Sequence, residues 1–581
     1  MSGFFDRTLP DQLARNHVPG AVVSVVAGGR TVFAKGYGTA DLARGTPIDP
    51  VRSLVRIASI SKLFTWTAVM QQVEAGRLDL NADVNRYLTA FKIPATYPQP
   101  VTLQALLNHT AGFEDRVIGT GARSAADVPP LGEYLATHMP ARIRPPGRIS
   151  AYSNYGAALA GYIVSVVSGE PYDAYVQRHI LDPLGMAHST ATEPVPATLA
   201  PDLAHSYNTD ESPTHLVPFE FDPMTPDGSV SATATDMANF MLAHLNDGRG
   251  ILSPATTARM HQPSFTADPR LGGWANGFEY RRMNGHEVLM HDGSWEAFLS
   301  VLMLVPDCGL GLFVSANGTG GVDALTDVLP AFTDTFAPGN QTTPSGGRGT
   351  KPQAGFYKPA RHNESTVEKL LTLLGPGRLS VAADGTVKFR GKEWKPQGDN
   401  LYVSSDGRDH LVSFTGTDGK RYVATDGPTF QLESASETPT VNLVVLLAFA
   451  VPALSALLLP LVALVRRLRK RQKPMSPWWR AARWLAAGAG VLGVAFLVAL
   501  VAVLLVGSGD FLFGPPLRFR LLLLVPVIVL AAAVASVTCT VAGWRGSGAG
   551  VLARVHQVGL LGGLAALAWF LWQWNLIGWQ F

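Results

Sequence analysis

Ser59-Ile60-Ser61-Lys62 opens the stretch that decides the reading of this chain, residues 59–76 (SISKLFTWTAVMQQVEAG). Its apolar residues recur at helical spacing and Gly76 supplies a stop, so a helix is expected from Ser59 to Ala75. On that helix Lys62 lies one turn after Ser59 on the same face, within reach of its hydroxyl. A serine hydroxyl is a poor nucleophile until a base takes its proton, and a lysine can be that base once burial or nearby positive charge lowers its pKa. Ser-x-x-Lys alone is weak, since about one match arises by chance in a chain this long, and a surface-helix serine is the bland alternative.

Two further elements supply the context. Residues 144–154 (RPPGRISAYSN) bring Tyr152 and Asn154, a phenol and an amide two residues apart, after a Pro-Gly turn. Downstream, His291-Asp292-Gly293-Ser294 follows an expected strand. A glycine there lets a substrate approach the backbone, and a strand edge can offer an N–H to a developing oxyanion.

In this order, Ser-x-x-Lys, Tyr-x-Asn, then a strand with His-x-Gly, the chain resembles the serine β-lactamase, penicillin-binding protein and DD-peptidase superfamily, in its class C, esterase and D-aminopeptidase-like branch. The resemblance covers about residues 15–335 and is supported by residues 105–113 (ALLNHTAGF), 180–186 (ILDPLGM) and 227–241 (DGSVSATATDMANFM). It implies that Ser59 is acylated, that Lys62 and Tyr152 share the proton transfers, and that Asn154 positions the substrate. It further implies an oxyanion hole from the backbone N–H groups of Ser59 and Ser294, with His291 and Gly293 lining the site. Where penicillin-binding proteins commonly carry Lys-Thr-Gly, this chain has His291-Asp292-Gly293, which weakens the case for β-lactam hydrolysis and carboxylate recognition. Ala297 stands where many relatives have glycine. No counterpart is found of the glutamate that activates deacylating water in class A β-lactamases, so Tyr152 is the better candidate for that step.

At 581 residues the chain exceeds one core, and 47% hydrophobic against 16% charged residues is greasy for a soluble enzyme. Four apolar stretches, 441–465, 485–506, 521–542 and 551–574, are each long enough to cross a bilayer. Four buried helices of a soluble domain would need polar faces at helical spacing, and charges are almost absent from these stretches. After residue 441 twelve Lys and Arg stand against the single acid Asp510, a net of +11; the whole chain is +3, which leaves −8 for residues 1–440. An acidic front half argues against nucleic acid as a partner. The cysteines, Cys308 and Cys539, are not expected to pair or to form a metal site.

The run Arg466-Arg467-Leu468-Arg469-Lys470-Arg471, with Lys473, Arg480 and Arg483 behind it, contains no acid. The positive-inside rule makes the loop 466–483 cytoplasmic and the front portion extracytoplasmic. An exported domain should begin with a signal peptide, yet residues 1–17 are polar and the first apolar run, 21–27, is too short. The expectation is therefore that the natural start lies upstream or that this chain is trimmed.

Residues 21–27 and 31–36 form a hairpin of β-branched residues around Gly28-Gly29. Helical patterns run through 102–108, 155–168, 172–181 and 235–245, and strands return at 288–291, 298–305 and 310–316. The expected class is α+β: a β-lactamase/transpeptidase-like domain over 1–337, an antiparallel sheet with a helical insert. A linker over 338–352, a small β domain over 353–434 punctuated by Asp-Gly pairs, and a membrane domain over 441–581 follow.

His109 is expected to be a structural hydrogen-bonding histidine. His286 and His291 mimic a zinc-protease motif, but the second histidine is one residue too far and the segment is a strand, so metal binding is rejected. The leading function is a membrane-anchored hydrolase acting on an ester, amide, D-residue peptide or β-lactam, with a small-molecule or peptide substrate, the bilayer as partner and no cofactor. The alternatives are an acyltransferase or peptide cyclase of the same fold, and a non-catalytic receptor that senses β-lactams or peptidoglycan. An inactive scaffold would show erosion of Ser59, Lys62 or Tyr152, and all three are present.

Overall fold

Val22 and Val26 face one apolar core while Ala21, Val23 and Val25 face another, the two-residue alternation of a strand buried on both sides. That strand, Gly20–Ala27, is central to a nine-stranded antiparallel sheet in this computed structural model, which describes residues 1–210, 212–340, 351–469 and 475–581, without the side chains of Arg466 and Arg467. The strand order is Thr46–Pro47, Arg30–Asp41, Gly20–Ala27, Leu310–Ala316, Phe298–Val305, His286–Trp295, Phe278–Met283, Gly273–Ala275 and Phe265–Thr266. The first strands thus pair with the last, Val23 opposite Val314, and everything between residues 48 and 264 is inserted as a largely helical body. The fold is the expected α+β arrangement.

One face of the sheet packs on that body; the other is covered by the helices Ser2–Arg15 and Val328–Phe336. The polar look of residues 1–17 had concealed an apolar stripe, Phe5, Leu9 and Leu13, at four-residue spacing. Phe5 stacks on Phe33 with ring centroids 5.2 Å apart, so this segment is a folded element of the core.

A closed eight-stranded antiparallel barrel follows, from Gly355–Pro359 to Thr429–Leu432, the two ends joined by Tyr357 opposite Leu432. Gly385, Gly407 and Gly419 of its Asp-Gly pairs take positive φ, as tight turns demand. The fourth pair acts differently: Asp426 accepts hydrogen bonds from His410 N and from Gly272 N, tying barrel to sheet. Ile149 and Ala151 pack with Ala360 and Tyr422, so the barrel also supports the loop that carries Tyr152.

Two compact units result. One contains residues 1–115, 121–361 and 377–432; the other contains 116–120, 362–376 and 433–581. This departs from the expected segments, since 362–376, an excursion between the first two barrel strands, clusters with the C-terminal helices. Its Val367 and Leu370 join their apolar core, and Asn575 donates to the Glu364 and Thr366 carbonyls. Of the expected linker, residues 341–350 lie outside the described residues.

Among the described residues four helices are long and apolar enough to cross a membrane: Pro439–Val465, Pro477–Val506, Leu517–Gly543 and Val551–Gln573. The second begins eight residues before its apolar stretch, because the helix continues through Trp478, Trp479, Arg480, Arg483 and Trp484, side chains suited to a membrane interface. Glycines permit close crossings: a Cβ on Gly490 would lie 3.1 Å from the Ala453 Cβ. Lys470, Arg471 and Lys473 of the basic loop lie outside the described residues.

Candidate active site

Ser59 sits in a short 3₁₀ turn, Ala58–Ile60, that leads into the helix Ser61–Glu74. The preceding Ala58 has φ +49, a left-handed conformation that costs a residue with a Cβ about 1–2 kcal/mol. The turn is braced from below by Arg56, fully buried, which pairs with Glu193 and with Glu296 at 2.7 Å and donates to the Glu220 carbonyl at 2.6 Å. Burial pushes the Glu296 carboxyl up to about 8 against the pull of Arg56.

Lys62 is wholly buried, and its Nζ donates to Ser59 Oγ at 2.9 Å and to the Asp227 carbonyl at 2.8 Å. Burial lowers its pKa to about 8, opposed by Asp227 and Asp222 and assisted by the positive charge of Arg361. The one-turn spacing is therefore legible in the sequence, whereas the Asp227 carbonyl, 165 residues on, is not.

Tyr152 and Asn154 arrive where a loop enters the helix Asn154–Ser168, whose first turn is capped by Ser153 Oγ accepting from Gly156 N. Lys62 Nζ lies 5.0 Å from the centroid of the Tyr152 ring. The phenol approaches Ser59 without completing a hydrogen bond of ordinary geometry, and burial holds its pKa well above that of a free tyrosine. It is thus kept as a protonated phenol, which sharpens the expectation that it activates water: it is a donor and relay before it is a base.

His109 anchors that loop. Its Nδ1 accepts from Ser153 N at 3.1 Å, its carbonyl accepts from Ala151 N, and its ring lies 4.4 Å from Tyr152 and 4.5 Å from Trp274. It is a structural histidine, as its sequence context indicates, but one in contact with the site.

Strand His286–Trp295 closes the other side. A Cβ added to Gly293 would meet the Ile57 carbonyl oxygen at 2.2 Å and Ser59 N at 3.0 Å, so glycine is required for this strand to lie against the nucleophile turn. Ser294 is next along the same strand. His291 is buried and faces Tyr152 with ring centroids 6.0 Å apart. Its Nδ1 lies 2.6 Å from the Asp292 carbonyl, which can only accept, so Nδ1 carries the proton and Nε2 presents a lone pair. Burial and the neighbouring Lys62 lower its pKa to about 4, so it is neutral at pH 7.

The structure brings Ser59, Lys62, Tyr152, His291 and Gly293 together, with Asn154 and Ser294 next to them only along the chain, and it adds three that sequence reasoning did not mark: Asp227 through its carbonyl, Arg56 as a brace, and Arg361. Arg361 follows the first barrel strand; its Nε donates to Asp115 at 2.9 Å and its guanidinium lies 5.2 Å from the Tyr152 ring centroid. Tyr152 Oη, Asn154 Oδ1 and His291 Nε2 are buried without a hydrogen-bond partner among the described residues. Buried polar atoms rarely stay unpaired, and Tyr152 and His291, whose rings lie 6.0 Å apart beside Lys62 and Ser59, mark a place for a polar ligand.

Such an arrangement belongs to the serine hydrolases and penicillin-binding proteins, which pass an acyl group through a serine ester. The chain is a member of the beta-lactamase family, whose model matches residues 5–330. It is 30% identical over 340 residues to penicillin-binding protein 4 of Amycolatopsis lactamdurans, covering 54% of this chain and 84% of that one. It is 26% identical over 321 residues to protein flp of Staphylococcus aureus, of which it spans 62%. Among solved structures it is similar to the octameric penicillin-binding protein homologue from Pyrococcus abyssi, with a TM-score of 0.51 at 21% identity over 74% of this chain and 99% of that one. It is also similar to SurE with D-Leu, with a TM-score of 0.53 at 20% identity over 74% and 100%. A share of 74% is more than residues 5–330 could supply, so the likeness of fold extends beyond the family-matched portion.

Proposed function

We propose that this protein is a membrane-anchored serine acyl hydrolase that works through an acyl-Ser59 intermediate. The observation that carries the reading is the 2.9 Å contact between Ser59 Oγ and a buried lysine amine whose pKa has fallen to about 8. Neutral Lys62 takes the Ser59 proton as Oγ attacks the substrate carbonyl. The Ser59 and Ser294 N–H groups receive the developing oxyanion, and the proton reaches the leaving group by way of the Tyr152 phenol. The acyl carbon–leaving group bond breaks as the Ser59 ester forms. Water then takes the leaving group's place and returns its proton along the same pair. Asn154 Oδ1 and the His291 Nε2 lone pair accept from N–H or O–H groups of the substrate.

Esters, amides, D-residue peptides and β-lactams all fit this chemistry. An amine or alcohol in place of water would make the same site a transferase or cyclase. The basic loop 466–483 orients the front portion outside the cytoplasm; digestion by protease added to intact cells is the expected outcome, and a protected front portion refutes that orientation.

The central test labels the membrane fraction with a fluorescent phosphonate and, separately, a fluorescent penicillin, using wild type and Ser59→Ala. Labelling that disappears in Ser59→Ala is expected. Failure of both probes on folded wild type counts against acyl transfer and favours a binding role.

A further inference from the structure

One of the charged groups beside Tyr152 comes from the barrel. Arg361 stands two residues beyond strand Gly355–Pro359, and the backbone before it is fixed on both sides: Ala360 N donates to the Thr429 carbonyl at 2.7 Å, and the Ala360 carbonyl accepts from Arg144 Nη1 at 2.7 Å. The side chain is delivered across the Tyr152 ring, 5.2 Å from its centroid, while 41% of it stays exposed. Among the described residues it is its Nε that is engaged, by Asp115. A guanidinium has five N–H donors on two edges, so the pair with Asp115 leaves a second edge able to hold a carboxylate in a two-pronged grip.

At the position where the resemblance leads one to expect a lysine, His291 offers a buried, neutral acceptor and cannot bind an anion. Lys62 is occupied by Ser59 and the Asp227 carbonyl. Arg361 is therefore a permanently charged, part-exposed cation beside Tyr152. Since Tyr152 delivers the proton to the leaving group in the proposed reaction, the part of a substrate nearest Arg361 is the leaving group.

We infer that Arg361 is a specificity-determining residue, through which the barrel selects acyl donors whose leaving group carries a carboxylate, such as the terminal residue of a peptide with a free α-carboxylate. The inference rests on the acyl-transfer reading of Ser59. It gives the barrel a part in substrate choice.

The test uses the full chain in detergent and two esters of one N-acylglycine, with 3-carboxyphenol or 3-carbamoylphenol as leaving group. Both give the same acyl-enzyme, so their kcat/KM ratio isolates the leaving-group carboxylate. Wild type is expected to favour the carboxylate ester tenfold or more, Arg361→Gln to bring the ratio close to one, and Arg361→Lys to keep part of the preference. A wild-type ratio near one, turnover of neither ester, or an equal fall on both esters in Arg361→Gln overturns the proposal. Phosphonate labelling of Ser59 in the same preparation separates the two failures: if it is present, only the role of Arg361 falls, and if it is absent, the acyl-transfer reading falls with it.

Discussion

Two of the places where the chain buries polar side chains treat them oppositely. In the segments that carry the Ser59 site, Tyr152 Oη, Asn154 Oδ1 and His291 Nε2 are buried without partners among the described residues. Among the C-terminal helices the polar groups engage one another: Gln557 Nε2 reaches Thr540 Oγ1 at 3.0 Å, Ser536 Oγ at 3.2 Å and the Ala482 carbonyl at 3.3 Å, and Trp574 Nε1 donates to Asn442 at 2.7 Å. Gln557 Oε1, Trp479 Nε1 and Arg554 Nε are among the exceptions, but they accompany no nucleophile paired with a buried lysine. Leaving a buried polar group unmet costs about 1–3 kcal/mol, so a cluster of them is tolerated where a ligand completes it. In the helices the same kinds of side chain serve as interhelical ties.

The comparison breaks most readily at Lys62. Lys62→Met is expected to slow phosphonate labelling of Ser59 by about 10²–10⁴-fold, the range of a lost general base. In wild type the labelling rate should climb about tenfold per pH unit below the lysine pKa of about 8 and level off above it, because only the neutral amine accepts a proton. The charged and titratable groups around that amine are Asp227, Asp222, Asp292, Arg361, Tyr152, His109 and His291. A flat wild-type profile between pH 6 and 9 would remove Lys62 as the base.

Gly293→Ala sharpens it next. The added methyl carbon cannot coexist with the Ile57 carbonyl at 2.2 Å, so strand and nucleophile turn must separate by about 1 Å, a misplacement that typically lowers kcat by about 10²-fold. Thermal melting of the variant distinguishes this loss from unfolding. A well-folded Gly293→Ala with the wild-type rate would show that the strand takes no part in acylation.

How much of this was legible beforehand follows from the range of each interaction. Ser59 and Lys62 are one turn apart and the helices announce themselves by length and apolarity, so local pattern suffices. The helix Ser2–Arg15 was hidden because three apolar residues at spacing four are diluted by polar ones. The left-handed Ala58 was hidden because alanine carries no signal for that conformation. Arg361 could not be singled out at all: it reaches the site by way of a barrel whose own sequence has no catalytic pattern, and nothing local in residues 355–361 points to Tyr152, some two hundred residues earlier in the chain. The assignment of His291 as a neutral acceptor likewise needed the Asp292 carbonyl in place, since sequence supplies the imidazole but not its tautomer.

The smallest expected effect tests the other half of the comparison. In Gln557→Leu the amide is lost, yet Ser536 Oγ still donates to the Ala482 carbonyl at 2.7 Å and Thr540 Oγ1 to the Ser536 carbonyl at 2.7 Å. Neither hydroxyl is stranded, and leucine is close to glutamine in size. The destabilisation in detergent, measured by thermal or denaturant unfolding of the helices, should therefore stay near 0.6 kcal/mol and below about 2 kcal/mol, the span of interhelical hydrogen bonds in membranes. Phosphonate labelling of Ser59 should be unaltered. A loss of labelling with intact helices would mean that Gln557 is more than a tie, and the division between polar groups held for a ligand and polar groups held for packing would no longer stand.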